Sequence, residues 1–495
     1  MRTHPHLYEI NTWPWLESLS RRTGREVTLE SVPDAEWSRL RDLGIDLVYL
    51  MGVWRRSATG RQLARSEPAL FGAYDEATPG WRARDVAGSA FCIAGYEADD
   101  RMGGRAALDA ARAALHSRGM RLIVDFIPNH VGFDHPWVAA HPDWFVNGTE
   151  DEFRRSPAAF RPIELRSGDV RFIACARDPF FPPWTDVAQL DHGNAEMRAA
   201  LLAALRYVAD QADGARCDMA MLVLSDVFAD TWQHLRAGPP LPTEFWTDAV
   251  SAVPPDFLLL AEAYWDLEWR LQELGFQFTY DKRLYDRLLH GSAEDVRAHL
   301  GAEARYQNRS ARFIENHDET RSAAAFGVRA DAAAVVVSTL PGLRFYYDGQ
   351  FEGRRIHAPV QLGVVGDEPI DVRVSDRYRR LLAVVDAPVF HEGDWRLSGI
   401  AGGEASRDLV AWQWRNDTAW RLIVVNLGGG VAEGRVDVSG QLPAGDPLAF
   451  DDVLNGGRYP WPRADLAEGL YVRLDPGSAH ILSAGAVTEN RGGRP

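Results

Sequence analysis

Eight short apolar runs, most of them separated by helix-length segments, constrain this chain more than any other feature. They are LYEI (7–10), DLVYLMGV (46–53), RLIVDFI (121–127), ARCDMAML (215–222), FLLLAEAY (257–264), FQFTY (276–280), ARFIENH (311–317) and GLRFYYD (342–348). Runs of this length bounded by turn signals suit strands buried on both faces. Helical patterns lie between several of them, at 103–119, 194–211 and 330–340. Alternation of strand and helix predicts a parallel α/β sheet, and eight units predict a closed (β/α)8 TIM barrel. In such a barrel the chemistry sits at the C-terminal ends of the strands.

Two stretches break the alternation. Residues 131–185, rich in Pro, Trp and Phe, are too long for an ordinary connection and read as a small inserted domain. They interrupt a barrel domain that spans 1–388. From 389 to 484 the helical period stops, and segments such as LVAWQWR (409–415) and WRLIVVNL (420–427) lie between turn residues. That pattern predicts a C-terminal antiparallel β-sandwich. Residues 485–495, GAVTENRGGRP, read as a disordered tail.

Composition narrows the partners. The 495 residues carry a formal charge of −16 and no dense basic stretch, which argues against nucleic acid. No run of about 20 apolar residues could span a membrane. The first residues, MRTHPHLYEINTWPWL, lack the apolar core of a signal peptide. Three cysteines, Cys92, Cys175 and Cys217, give no disulfide framework and no metal-type spacing. A cytoplasmic protein is expected. Seventeen tryptophans, many near strand ends or in loops, offer flat faces that suit sugar rings, although most tryptophans serve as core.

Several apolar runs end in ionisable groups. Asp125, then Asn129 and His130, follow the third; Arg216 and Asp218 lie in the fourth; Glu262 closes the fifth; His317 and Asp318 close the seventh. Residues i and i+2 of a strand share a face, so Arg216 and Asp218 point the same way and Cys217 the other. The pair is either a structural salt bridge or an aspartate held ionised for chemistry. Four carboxylates at one barrel mouth would be costly as structure alone, because like charges repel.

The segments DFIPNH (125–130), GARCDMAML (214–222), LLLAEAYW (258–265) and FIENHD (313–318) resemble, in order and spacing, the four signature regions of the α-amylase superfamily. The resemblance to these retaining glycoside hydrolases implies that Asp218 is the nucleophile and Glu262 the general acid and base. It implies that Asp318 binds hydroxyls of the sugar at the cleavage point, with His130 and His317 on the same ring. Asp125 is expected to orient Arg216. Phe91, in GSAFCIAGY (88–96), falls where the family places a stacking tyrosine, with Tyr96 as the alternative. Trp265, three residues after Glu262, joins the substrate-binding set. Arg216 should keep Asp218 ionised, while Glu262, among apolar neighbours and other carboxylates, should be raised and protonated.

The pattern also departs from the family. Met221 and Leu222 stand where many members carry Lys-His, and Gln189 stands where a calcium-ligating aspartate is usual. Asn129 alone does not make a cage of six to eight oxygens, so no metal and no cofactor are expected. The expected activity is hydrolysis of α-glucosidic (α-1,4) bonds in maltodextrin or starch-like α-glucans. A transglycosylase using the same residues is the alternative, because the acceptor side is atypical at Met221. An inactive relative would lack the nucleophile or the acid, and both are present. A metal-dependent hydrolase would need a ligand cluster at strand ends, and no HxH or HxxxH spacing surrounds His130 or His317.

Overall fold

All eight predicted strands form in the computed structural model, which describes residues 1–236, 243–439 and 442–486. They are β1 (His6–Asn11), β2 (Leu47–Met51), β3 (Arg121–Phe126), β4 (Gly214–Cys217), β5 (Leu258–Ala261), β6 (Phe278–Tyr280), β7 (Ser310–Arg312) and β8 (Leu343–Tyr347). They hydrogen-bond in sequence order around a closed barrel. Pairing is parallel: Asp125 of β3 lies beside Arg216 of β4, and Arg216 beside Leu260 of β5. Every residue of β2, β4, β5 and β8 is buried, which is why these runs are mostly apolar rather than alternating, with Arg216 and Arg344 as the buried charges among them. Helices occupy Gly104–His116, Ala195–Ala209 and Ala330–Thr339. The first buries Ala107, Leu108, Ala111 and Leu115, the three-and-four spacing of one apolar stripe.

Strands four and five stop sooner than their apolar runs. After Cys217 the ladder adds one bond, Asp218 N–H to Phe126 O at 2.8 Å, and Met219 then turns left-handed at φ 44°. Residues Ala220–Val223 follow as a 3-10 turn. After β5, Glu262 N–H donates to Cys217 O at 3.1 Å, and Trp265 and Asp266 are both left-handed. Met219, Trp265 and Asp266 are the non-glycine residues of positive φ among the described residues.

The chain divides into two compact units. One holds Leu7–Tyr280 and Ile356–Glu368; the other holds Met1–His6, Asp281–Arg355 and the chain from Pro369 on. This division does not follow the boundaries read from the sequence. In the first unit, His130–Gly132, Trp184–Gln189, Val170–Ala176, Phe160–Glu164 and Asn147–Gly148 make a separate antiparallel sheet. Its link to the barrel strands is short, since His130 lies four residues after β3 and pairs with Gln189.

In the second unit a six-stranded and a three-stranded antiparallel sheet face each other over one apolar cluster. Leu409, Leu422 and Val424 come from the larger sheet, and Val436, Leu470 and Leu474 from the smaller, so the C-terminal region is a sandwich. Trp414 of this sandwich donates from Nε1 to the carbonyl of Thr339, at 2.6 Å, at the end of the helix Ala330–Thr339. Gly485, read from the sequence as the start of a disordered tail, instead pairs with Ala449 inside Ala479–Ala486. Residues 487–495 lie outside the described residues. Among the described residues no helix is long and apolar enough to cross a membrane.

The second unit also buries three histidines beside one arginine. Arg344 Nη1 lies 3.1 Å from His6 Nε2, and His391 Nδ1 lies 2.8 Å from the carbonyl of His4. Burial first, then the Arg344 charge, depresses His4 and His391 to about 3 and holds His6 well below the usual imidazole range. Unfolded histidines take up protons near pH 6.5 that these folded ones refuse, so stability falls as pH drops from about 6.5. At pH 5 each of His4 and His391 withdraws about 2 kcal/mol relative to pH 7. The midpoint of urea unfolding should be clearly lower at pH 5 than at pH 7, and His391→Asn should flatten that slope. Equal midpoints at the two pH values would contradict the assignment.

Candidate active site

One side chain organises the ends of β4 and β5. Arg216 is 1% exposed, and its two terminal nitrogens each meet a carboxylate. Nη1 lies 2.5 Å from Asp218 Oδ1 and Nη2 lies 2.8 Å from Glu262 Oε2. The sequence predicts the first contact from the shared strand face; the second arises because Leu260, two residues before Glu262, is the β5 partner of Arg216. Tyr280 and Phe91 flank the guanidinium, their ring centroids 5.7 and 5.0 Å from its carbon. Burial acts against the charge, but Glu262, then Tyr280, Tyr49 and Asp218, outweigh it and raise Arg216 well above its ordinary value. The group is a permanent cation.

Arg216 does not single out Asp218, because it pairs with Glu262 as well. What distinguishes the two carboxylates is their remaining partners. Glu262 Oε2 also accepts the Met219 N–H at 2.6 Å, and Oε1 accepts the Tyr264 hydroxyl at 2.8 Å. Asp218 Oδ2 has His130 Nε2 at 3.9 Å. Burial depresses His130 to about 4, with Asp186 and a hydrogen bond to the Phe91 backbone pulling the other way, so the ring beside Asp218 is neutral at neutral pH. Its face is fixed by Trp184, edge-on at 5.5 Å.

The other predicted residues of this unit fall as follows. Asp125 accepts from the Tyr49 hydroxyl at Oδ1 and from the Gly52 N–H at Oδ2, the latter at 2.6 Å. Gly52 is required there: its φ is +75°, and a Cβ would come within 2.9 Å of both Ala90 and Arg56. Phe91 lies over Arg216. Tyr96, the alternative to Phe91, is committed to structure, since its hydroxyl pairs at 3.0 Å with both the N–H and the carbonyl of Ile127. Trp265 meets Phe180 edge-on at 5.0 Å, and Phe180 and Phe181 are 68% and 67% exposed. Asp178 presents that pair by accepting both of their N–H groups at Oδ1.

His317 and Asp318 belong to the other compact unit. There His317 is buried, and its Nε2 lies 3.0 Å from Asp318 Oδ2, while the Asp318 side chain is 44% exposed. The Asn316 side chain accepts the N–H of Asp318 at 2.9 Å and so turns the chain after β7.

Sequence reasoning missed Tyr264, Phe180 and the Met219 amide. Tyr264 was legible as a neighbour of Glu262 but reads there as an apolar flank, and its hydroxyl meets Oε1 in the turn that follows β5. The signal for Phe180 was a doublet of phenylalanines between prolines, DPFFPP (178–183).

The calcium implied by the resemblance would fall at Asn129 and Gln189, both buried. Gln189 Nε2 donates to Asn129 O and Asn129 Oδ1 at 3.0 Å and to Leu190 O at 3.1 Å. An uncharged N–H group thus occupies the oxygens that a hard cation would need, and a donor nitrogen is no ligand for calcium. Among the described residues no group of three or more His, Cys, Asp or Glu could hold a metal ion. The residues present do not fit the cation.

Residues 39–358 match the alpha-amylase family over its catalytic domain. The chain is 29% identical over 293 residues to alpha-amylase MalA of Haloarcula japonica, covering 57% of this chain and 39% of that protein. It is 25% identical over 277 residues to the alpha-1,4-glucan:maltose-1-phosphate maltosyltransferase of Burkholderia pseudomallei, covering 54% of this chain and 20% of that protein. The chain therefore spans less than half the length of either relative. The crystal structure of the maltogenic alpha-amylase AmyB from Thermotoga neapolitana matches with a TM-score of 0.68 at 19% identity, over 97% of this chain and 98% of that one. That likeness is one of fold.

Replacing Arg216 tests the bridge. Arg216→Gln leaves two buried carboxylates without their shared cation and should cost about 3–5 kcal/mol in urea unfolding at pH 7. Arg216→Lys should recover only part of the loss, because one ammonium does not span two carboxylates as a planar fork does. A loss below about 1 kcal/mol in Arg216→Gln would contradict the bridging role.

Proposed function

Because the chain belongs to the alpha-amylase family, we propose that it is a retaining glycoside hydrolase acting on α-glucosidic bonds, α-1,4 bonds of maltodextrin-like glucans among them. The observation that carries this reading is the single guanidinium between Asp218 and Glu262. A planar group of that size keeps two carboxylates close, which suits the separation of about 5–5.5 Å of a retaining pair better than the wider gap of an inverting one.

In the first step Asp218 Oδ2 attacks the anomeric carbon while Oδ1 stays on Arg216. The bond to the leaving oxygen breaks and Glu262 gives that oxygen its proton. In the second step Glu262 takes a proton from water, whose oxygen bonds to the anomeric carbon as the bond to Asp218 breaks. Neutral His130 donates a hydrogen bond to the sugar beside Asp218. Asp318, with His317, binds sugar hydroxyls, and Phe91 and Asp125 hold Arg216 and its surroundings in place.

A transglycosylase remains the second reading, and a specific observation favours it. Phe180, 68% exposed, meets the half-buried Trp265 edge-on, three residues in sequence after Glu262, and its open ring offers an acceptor sugar a stacking face in place of the lysine absent at Met221. Two relatives that match 54% and 23% of this chain are named as maltosyltransferases. We also propose that the enzyme works without a resident metal at Asn129 and Gln189, and in the cytoplasm, where the three buried free cysteines stay reduced.

Incubation with maltoheptaose, followed by chromatography over time, tests the activity. Shorter products alone support hydrolysis, and longer ones support transfer. Glu262→Gln should lose about 10²–10⁴-fold in turnover and Asp218→Asn nearly all of it. Wild-type-like turnover in Asp218→Asn would overturn the mechanism. Chelator in excess should leave the melting temperature and turnover unchanged, and a rise in melting temperature with millimolar calcium would overturn the metal-free reading.

A further inference from the structure

We propose that Tyr264 is a positioning residue for Glu262, reserving Oε1 as the oxygen that gives up and takes back the proton. This rests on the reading of Glu262 as general acid and base. The two carboxyl oxygens are not equivalent. Oε2 accepts from Arg216 Nη2 at 2.8 Å and from the Met219 N–H at 2.6 Å. Two donors occupy both lone pairs of a carboxyl oxygen, so a proton placed on Oε2 would displace one of them. The mobile proton therefore belongs on Oε1.

Oε1 faces the Tyr264 hydroxyl at 2.8 Å. A hydroxyl is the one common side-chain group that serves both protonation states, because it donates to a carboxylate and turns to accept from a carboxylic acid. In the acid step the Oε1 proton passes to the leaving oxygen, and Tyr264 then donates to the carboxylate left behind. In the base step the proton of water or of an acceptor hydroxyl arrives at Oε1, and the Tyr264 hydroxyl rotates away. No proton is gained or lost by Tyr264 itself.

The backbone is shaped to make this contact. Tyr264 is two residues after Glu262, and on a continuing strand the two side chains would stand apart on one face. β5 ends at Ala261, and left-handed φ values of 65° and 64° at Trp265 and Asp266 turn the chain just after Tyr264. Each costs a residue with a Cβ about 1–2 kcal/mol, and such conformations collect where function requires them. The Met219 amide that occupies Oε2 comes from the third left-handed residue, φ 44°. Left-handed residues thus accompany both contacts: Met219 gives its N–H to Oε2, and Tyr264, whose hydroxyl meets Oε1, precedes Trp265 and Asp266.

The experiment is the pH profile of kcat/KM with maltoheptaose for wild type, Tyr264→Phe and Glu262→Gln. A donor to the ionised form favours it, so its removal raises the proton affinity of Glu262. The alkaline limb, which reports loss of the acid form, should move up by about 1 pH unit in Tyr264→Phe, the tenfold change expected for a hydrogen bond to a charged group. The acid limb and the melting temperature should stay put, and KM should change less than kcat. A merely structural tyrosine would lower activity at all pH values and leave the limb in place. If Glu262→Gln is inactive and the limb of Tyr264→Phe does not rise, the proposal is overturned while the acid–base reading stands. If Glu262→Gln retains wild-type turnover, that reading falls and the proposal with it.

Discussion

The guanidinium of Arg216 is the interaction on which the centre of this protein depends. It takes two carboxylates out of water and compensates both at once. Burying three charges is expensive, and a buried ion pair is poor evidence of stability, since apolar residues of similar volume often do as well. The arrangement persists only with support on every side. Tyr280 takes the Nε–H of Arg216 at 3.4 Å, the rings of Tyr280 and Phe91 flank the guanidinium, and Tyr49 and the Gly52 amide hold Asp125 next door on β3. Arg312 and Arg344 are buried in the barrel as well; at Arg216 one guanidinium serves two carboxylates, as the proposed chemistry requires.

A shared cation cannot give the two carboxylates the different roles proposed for them. The distinction comes from the outer partners: a neutral imidazole near Asp218, and a hydroxyl and a backbone amide on Glu262. These partners arrive from three different segments, the sheet region after β3 and the turns after β4 and β5. Both turns are left-handed at residues that carry a Cβ, so local conformational preference is overruled by the barrel around it.

The same overruling explains where pattern reading overshot. The apolar runs ARCDMAML and FLLLAEAY are uniform enough to predict strands to residues 222 and 264, yet the ladders end at Cys217 and Ala261. Apolarity reports burial, and the residues past the strand ends are buried too, packed as turns instead of ladders. Periodicity cannot separate the two. The left-handed conformations have no signal in the residue types Met219, Trp265 and Asp266. Gln189 shows the opposite case: its identity was informative, and the structure adds that its nitrogen is the atom turned toward Asn129.

By itself the sequence determined the barrel, because eight buried runs alternating with helices have few other ways to satisfy their backbones. It determined the C-terminal sheets from their turn residues, it placed Arg216, Asp218 and Glu262 in or at the ends of strands, and the resemblance of four segments to the α-amylase signature regions supplied their companions. Only the tertiary structure decided how those groups pair. Arg216 reaches Glu262 because parallel register sets Leu260 beside it, a relation between residues more than forty positions apart. Tyr264 meets Glu262 in the turn that follows β5, just before two left-handed residues. Long-range register and strained dihedrals are properties of the packed whole, and no window of sequence carries them.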